Sequence, residues 1–234
     1  LGGPNRTTTV TGPLGDPVDA RWRLDRSTAV IEMALASGLA LVGGAEGNDP
    51  MAASTYGTGE LIGEAVEAGA RRVIVGVGGS ATTDGGLGAL RALYPLQRLK
   101  GVEIVVACDV TIPCIDAAER FAPQKGASPA QVKLLQRRLE RLVQVFQEEH
   151  GVDVTDLRGA GAAGGLAGGL AVAGARLVEG FDVVVDEVGL DETIEGADLV
   201  VTGEGFLDAA SFEGKVVGGV TALAAEFEVP VLAV

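Results

Sequence analysis

Histidine is almost absent from this 234-residue chain, and cysteine and the aromatics are scarce. A lone His150 excludes any metal site built on a histidine pair. Two cysteines, Cys108 and Cys114, are too few for a disulfide framework or a cysteine metal cage, and they suit a reducing cytoplasm. With aromatics at 4%, the core has to be built from Val, Leu and Ala. Positive charge is short as well. The formal net charge of −14 argues against nucleic acid or an anionic membrane as a partner. It also means that an anionic ligand needs local donors or a metal ion to hold it. Long apolar runs are missing: residues 159–175 carry no charge, but Leu166, Leu170 and Val172 are their only large aliphatics, too few to drive bilayer insertion. The opening Leu1-Gly-Gly-Pro4 has neither the basic region nor the apolar core of a signal peptide. A soluble, cytoplasmic protein is expected.

Glycine is abundant, at 36 residues, and hydrophobic content is 47%, which together indicate an α/β protein with many tight strand–helix turns. Residues 7–11, 18–24 and 28–33 read as extended segments joined by turns, an antiparallel meander. Residues 32–37 alternatively open a helix that Gly38 ends. Residues 43–53 form a polar loop. Residues 58–68 read as a helix with Thr58 as N-cap and Gly69 as its stop. Residues 73–77 and 102–108 are buried strands. Ser128-Pro-Ala-Gln131 is a capping box opening an amphipathic helix to about residue 149, with His150 in its last turn and Gly151 as its stop. Residues 159–170 have small side chains on every face, which suits a helix packed closely between neighbours or one presenting its N-terminus to a ligand. Residues 181–185 read as a short strand, 190–194 as a short helix, 198–202 as a third buried strand, 216–227 as a helix and 229–234 as a last strand.

The chemistry gathers just past the carboxyl ends of these strands, where open α/β sheets bind ligands. After the strand at 73–77 come Gly78 and Gly79, which tolerate positive φ, then Ser80, Thr82 and Thr83, which can cap a helix. Free N–H groups at such a helix start favour phosphate or carboxylate. Asp84 adds a carboxylate there, useful beside an anion only if a cation such as Mg²⁺ bridges the two. The plainer reading is a tight connection with Asp84 as a helix-start residue. Asp109 ends the next strand, and Gly203 to Asp208 follows a third. Thus Asp84, Asp109, Glu204 and Asp208, with two lysines read as exposed, Lys125 and Lys215, line one cleft in this reading. Those are the parts that phosphoryl transfer needs. Known kinase motifs do not account for them: Gly214-Lys215 is followed by Val216, not by the Ser or Thr of a Walker A loop. Gly76-Val-Gly-Gly-Ser-Ala81 also fits a loose dinucleotide pattern, and so an NAD(P)-dependent oxidoreductase. The acid expected about 20 residues further on is missing, since Leu99 and Lys100 lie there.

Six strings together resemble the bacterial glycerate kinase family. They are Thr55-Tyr-Gly-Thr-Gly-Glu60, Gly78-Gly-Ser-Ala-Thr-Thr-Asp-Gly-Gly86, Ala107-Cys-Asp-Val110, Phe121-Ala-Pro-Gln-Lys-Gly-Ala127, Gly159-Ala-Gly-Ala-Ala-Gly-Gly165 and Val201-Thr-Gly-Glu-Gly-Phe-Leu-Asp208. Their order and spacing agree over nearly the whole chain. The resemblance implies an ATP- and Mg²⁺-dependent kinase that phosphorylates D-glycerate, with 2-phosphoglycerate favoured over 3-phosphoglycerate as product. It implies two α/β domains, a Rossmann-like one interrupted by an inserted second, with the active site in the cleft between them. Residues 1–196 would be the inserted domain and residues 197–234 part of the Rossmann-like one. A homodimer is compatible with it. In this reading Gly78, Gly79, Ser80 and Thr82 cradle phosphate or the glycerate carboxylate. Asp84 and Asp109 hold Mg²⁺ or take the hydroxyl proton, Lys125 neutralises transferred charge, and Glu204, Asp208 and Lys215 complete the site. Departures from the family pattern are Thr83 for a usual asparagine, Phe206 for a usual arginine, and a shortened connection at 93–101. A chain lacking family segments could instead be a non-catalytic small-anion or nucleotide-binding module.

Overall fold

The computed structural model describes residues 3–205 and 216–234. The chain forms two compact units, Gly2–Leu177 and Val178–Val234. The sequence reading draws its boundary later, after residue 196.

The larger unit is built on a six-stranded sheet in the order β1-β2-β3-β4-β5-β6. β1 (Asn5–Thr11), β2 (Pro17–Asp25) and β3 (Thr28–Glu32) form the expected antiparallel meander. Along β2, Ala20, Trp22 and Leu24 are buried while Arg21 and Arg23 are exposed, and this two-residue alternation fixes the register, because a slip by one would put arginines in the core. From β3 the sheet turns parallel, through β4 (Arg72–Gly76) to β5 (Glu103–Ala107), with β6 (Arg176–Val178) last. Val73, Ile74 and Val75 of β4 are all buried, as a strand covered on both faces requires.

The β3–β4 crossover carries α1 (Ala34–Ser37) and α2 (Tyr56–Glu67). Thr58 is not the N-cap of α2. It lies inside the helix, fully buried, with its hydroxyl 2.8 Å from Ser37 Oγ. Leu61, Ile62 and Ala65 pack α2 onto the sheet beside Leu166, Ala167 and Leu170 of α6 (Ala162–Val172). A second cluster joins Ala117 and Ala118 of α4 (Ala117–Phe121) to Leu135, Leu139 and Val143 of α5 (Pro129–Val145). α5 opens on the predicted capping box: the Gln131 amide donates to Ser128 Oγ, and the Ser128 amide donates to Gln131 Oε1. A wider turn, Phe146–His150, and Gly151 at φ +69° end it.

α3 (Leu87–Leu93) begins several residues after the glycine turn, so no helix opens on Gly79. α6 is the small-residue segment. Ala163, Gly164 and Gly165 take left-handed φ of +53°, +70° and +92° at its start, and every residue from Ala162 to Leu170 is buried. Side chains there would strike the backbone that precedes α3. A Cβ on Gly169 would lie 2.7 Å from Gly85 O and 2.8 Å from Gly86 Cα. The segment packs closely, and Ala162 and Ala163 at its start also border a cavity.

In the smaller unit, residues 181–185 are helical, within α7 (Gly180–Val188), and not a strand. α8 (Leu190–Glu195) follows, then β7 (Val200–Thr202), α9 (Val216–Glu226) and β8 (Val231–Ala233). β7 and β8 pair in parallel as a two-stranded sheet. β7 is half-exposed and not buried as its apolar sequence suggests. Ile194, Val220 and Ala224 form the core of this unit.

Gly169→Val tests the contact between α6 and the Gly85–Gly86 backbone. The clash is with main chain, which cannot swing aside, so we expect a loss of about 2–3 kcal/mol in urea unfolding. A loss within experimental error would mean that the two backbones have room to part.

Candidate functional site

β4 and β5 end side by side, and a cavity of about 440 Å³ opens beyond their carboxyl ends. The turn Gly78-Gly79-Ser80 forms one wall, Cys108 and Asp109 another, and Phe121, Gln124 and Lys125 a third. The turn is rigidly held. Leu39 N donates to Gly79 O at 2.8 Å and Ala81 N donates to Ser37 O at 3.0 Å, which clips residues 79–81 to 37–39 like a short strand. Gly79 sits at φ +72°, which a side chain would resist. Among the described residues, nothing accepts a hydrogen bond from the N–H groups of Gly78, Gly79 or Ser80. Three successive unpaired amides around a left-handed glycine are available to donate to an anion without a helix.

Lys125 is the cation of this site, and it is buried, not exposed as its Gln-Lys-Gly turn suggests; 2% of its surface is accessible. Its Nζ donates to Thr82 O at 2.5 Å. Burial pushes its pKa down from 10.5 to about 8, and the nearby Asp84 carboxylate pulls it part of the way back.

Asp84 itself stands outside the cavity. Its Oδ2 accepts from Thr55 N at 2.9 Å, Thr55 Oγ1 at 2.8 Å and Gly88 N at 3.1 Å, and its Oδ1 accepts from Gly86 N at 3.1 Å. It is the helix-start residue of the plainer reading, capping α3 while tying that helix to the start of α2. Thr82 is likewise turned away. It is fully buried, with its hydroxyl donating to Ala163 O at 3.4 Å. The dinucleotide alternative fails on the same ground, because its fingerprint needs a helix opening directly on the glycine turn, and α3 starts at Leu87.

Of the residues proposed from sequence, the structure therefore brings together Gly78, Gly79, Ser80, Asp109 and Lys125. Glu204 lies just past β7, in the smaller unit. Asp208 and Lys215 fall outside the described residues. Among the described residues no three His, Cys, Asp or Glu side chains form a ready-made metal cage. Mg²⁺ needs no such cage, since one or two carboxylates with phosphate and water oxygens suffice, and Asp109 fits that role. Asp84, which accepts four hydrogen bonds and stands outside the cavity, does not. Cys114 is no nucleophile: burial, helped by Asp84, pushes its thiol up to about 12.

Sequence reasoning missed Asn48. Its Nδ2 donates both to Ala81 O, at 3.0 Å, and to Lys125 O, at 2.9 Å, bridging two walls of the cavity. The one local signal was Asn-Asp-Pro, a turn-forming string in a loop otherwise read as a polar connection.

Two variants test these assignments. Asp84→Asn can keep an oxygen toward the three donors at Oδ2 only by turning its NH2 against Gly86 N, so we expect about 1–3 kcal/mol less stability in chemical denaturation, whereas a purely catalytic or metal-holding role predicts no change. Lys125 gives a pH test. Folded, it loses its proton near pH 8, while the unfolded chain keeps its proton to about 10.5, so the unfolded state binds more protons between these values and stability rises with pH there. Against Lys125→Met, the wild type should gain about 2 kcal/mol between pH 8 and 10. Parallel stability curves would show that the lysine titrates normally.

The chain matches the model of the glycerate kinase family over residues 1–94 and 95–234. It is 42% identical over 266 residues to the glycerate 2-kinase of Escherichia coli (strain K12), covering 99% of this chain and 70% of that protein. To the glycerate kinase of Bacillus subtilis (strain 168) it is 39% identical over 259 residues, covering 96% of this chain and 68% of that one. Both alignments exceed the 234 residues here, so these relatives carry stretches with no counterpart in this sequence. The family match breaks between Tyr94 and Pro95, within the connection that reads as shortened. Among solved structures, a crystal structure described as glycerate kinase 2 from Salmonella typhimurium LT2 superposes with a TM-score of 0.89 at 39% identity, over 99% of this chain and 71% of that one. With a family match along its whole length and relatives this similar, the chain belongs to the glycerate kinase family.

Proposed function

We propose that this protein transfers the terminal phosphoryl group of ATP to the 2-hydroxyl of D-glycerate, giving 2-phosphoglycerate and ADP. The observation that carries this reading is the cavity, with an anion-binding turn and a buried cation on one side and a carboxylate on the other. The glycerate carboxylate takes the free amides of Gly78, Gly79 and Ser80, with the Lys125 ammonium between it and the transferred group. The hydroxyl next to that carboxylate then lies nearest the turn, and for this reason the 2-product is favoured. The E. coli relative's description as a glycerate 2-kinase supports the same choice.

Asp109 orients that hydroxyl and receives its proton as the new O–P bond forms and the bond to ADP breaks. The transition state of such transfers is loose, so positioning and charge neutralisation matter more than strong base catalysis. Asp109 is also the residue that would hold Mg²⁺, whose chemistry is to neutralise phosphate oxygens. The donors are fixed before the reaction by bonds among residues 37–39, 79–81, 48 and 125, so they need no reorganisation when charge develops. Val77 and Phe121 supply apolar wall that limits water. We infer a cytoplasmic enzyme, with glycerate and ATP as its small-molecule partners.

A coupled ADP-release assay with D-glycerate, ATP and Mg²⁺ tests the activity, and ³¹P NMR of the product tells 2- from 3-phosphoglycerate. Asp109 is exposed at its strand end, so Asp109→Asn, which keeps the side chain's size, should leave the protein folded and lower turnover roughly 10²- to 10⁴-fold. Wild-type protein that binds D-glycerate but releases no ADP would favour the anion-binding module. Full turnover in Asp109→Asn would remove that residue from the mechanism.

A further inference from the structure

We propose that Asn48 is a positioning residue that holds Lys125 and the glycine turn in working register. This rests on the kinase reading for its consequences in turnover, but the contact itself stands on geometry. The loop before α2 turns Asn48 inward, where it is half-buried. Asp49 fixes the loop's shape: its side chain accepts from Met51 N at 2.9 Å and its carbonyl from Ala52 N at 3.1 Å and Ala53 N at 2.8 Å. From there one amide nitrogen reaches two carbonyls from distant parts of the chain, Ala81 O and Lys125 O. Both partners are acceptors, so the nitrogen, not the oxygen, must face them. Asn48 Oδ1 is shut off from solvent and has no donor among the described residues. The side chain is thus committed to the bridge.

The bridge matters because it closes a ring. Lys125 Nζ bonds Thr82 O, Lys125 O bonds Asn48, and Asn48 bonds Ala81 O, beside Thr82. Cut at Asn48, the turn at 123–127 is left with the ammonium contact alone across this junction, and a charged group so deeply buried favours moving to water. Among the described residues, the charged neighbours of Lys125 are Asp84, which acts on it electrostatically, and Asp109, which shares the cavity. Neither is bonded to Asn48. No other residue type of this size supplies two donors: aspartate would present oxygen to both carbonyls, and alanine nothing.

The test reads the position of Lys125 directly. The sequence has only four lysines, Lys100, Lys125, Lys133 and Lys215, so acylation by a water-soluble succinimidyl ester can be followed for each by peptide mass spectrometry. In the wild type Lys125 is protected while the exposed Lys100 and Lys133 react. In Asn48→Asp and Asn48→Ala we expect at least a tenfold faster reaction at Lys125, with Lys100 and Lys133 unchanged. Thr58→Ala, which also removes a buried side-chain bond, is the control and should leave Lys125 protected. In steady state the Asn48 variants should raise KM for D-glycerate at least tenfold, with KM for ATP within about twofold. Simple destabilisation would lower the active fraction and leave both KM values alone. Lys125 equally protected in both variants, or an unchanged KM for D-glycerate in an active enzyme, overturns the proposal. If the variants do not fold, NMR of the wild type decides: slow exchange of the Asn48 side-chain amide protons supports the bridge, and free exchange overturns it. Absence of kinase activity in the wild type would refute the functional reading and leave the labelling result to judge Asn48 alone.

Discussion

A lysine buried beneath the glycine turn is the constraint to which much of the larger unit answers. An ammonium group loses its hydration on entering the interior, and nothing apolar can replace it. The fold supplies Thr82 O as acceptor and Asp84 as a counter-charge that is near but not bonded to it. Asp84 in turn is held still by four donors from the starts of α2 and α3. The two helices, the turn and the cation are therefore set by one another. Moving any of them exposes a charge or strands a donor.

Close backbone packing makes that arrangement rigid. Gly85 N donates to Gly164 O at 3.0 Å, and the glycines of α6 lie against Gly85 and Gly86 with no space for a side chain. The left-handed entry into α6 lies against the same stretch, where a Cβ on Gly164 would strike Thr82 O and come within 2.7 Å of Thr83 Cα. Conformational freedom given up by glycine in the folded state is offset by a site whose donors do not have to move.

Much of this was legible in the sequence, where periodicity or a specific turn chemistry left a signal. The β2 alternation, the apolar block at 73–77 and the capping box at Ser128 each have one physical reading, and the structure follows it. The resemblance strings located the cavity walls at Gly78 to Ser80, Asp109 and Lys125. What was misread shares a cause, namely that tertiary partners decide it. The Val-rich run at 183–185 has strand-like composition, yet α7 buries only Val183 and leaves Val184 exposed, a one-sided pattern that a neighbouring helical face selects. Hydroxyls after Gly79 suggested a helix cap, but Thr82 is spent on Ala163 O. Lys125 sits in a turn that looks solvated and is covered only because distant loops close over it. Asn48 left almost no trace, since its two partners are 33 and 77 residues away.

Net charge explains why the anion site has this form. A protein at −14 repels a carboxylate or a nucleotide at long range, and surface lysines would be too screened to reverse that. Peptide N–H groups fixed in a cavity, with one desolvated ammonium beside them, act at short range where screening is weak. They also carry no penalty elsewhere on an acidic surface. A carboxylate at the mouth, Asp109, adds to the repulsion unless a cation or a transferable proton meets it there. In the proposed reading the cation is Mg²⁺ arriving with the anion, and the proton is that of a hydroxyl presented to Asp109.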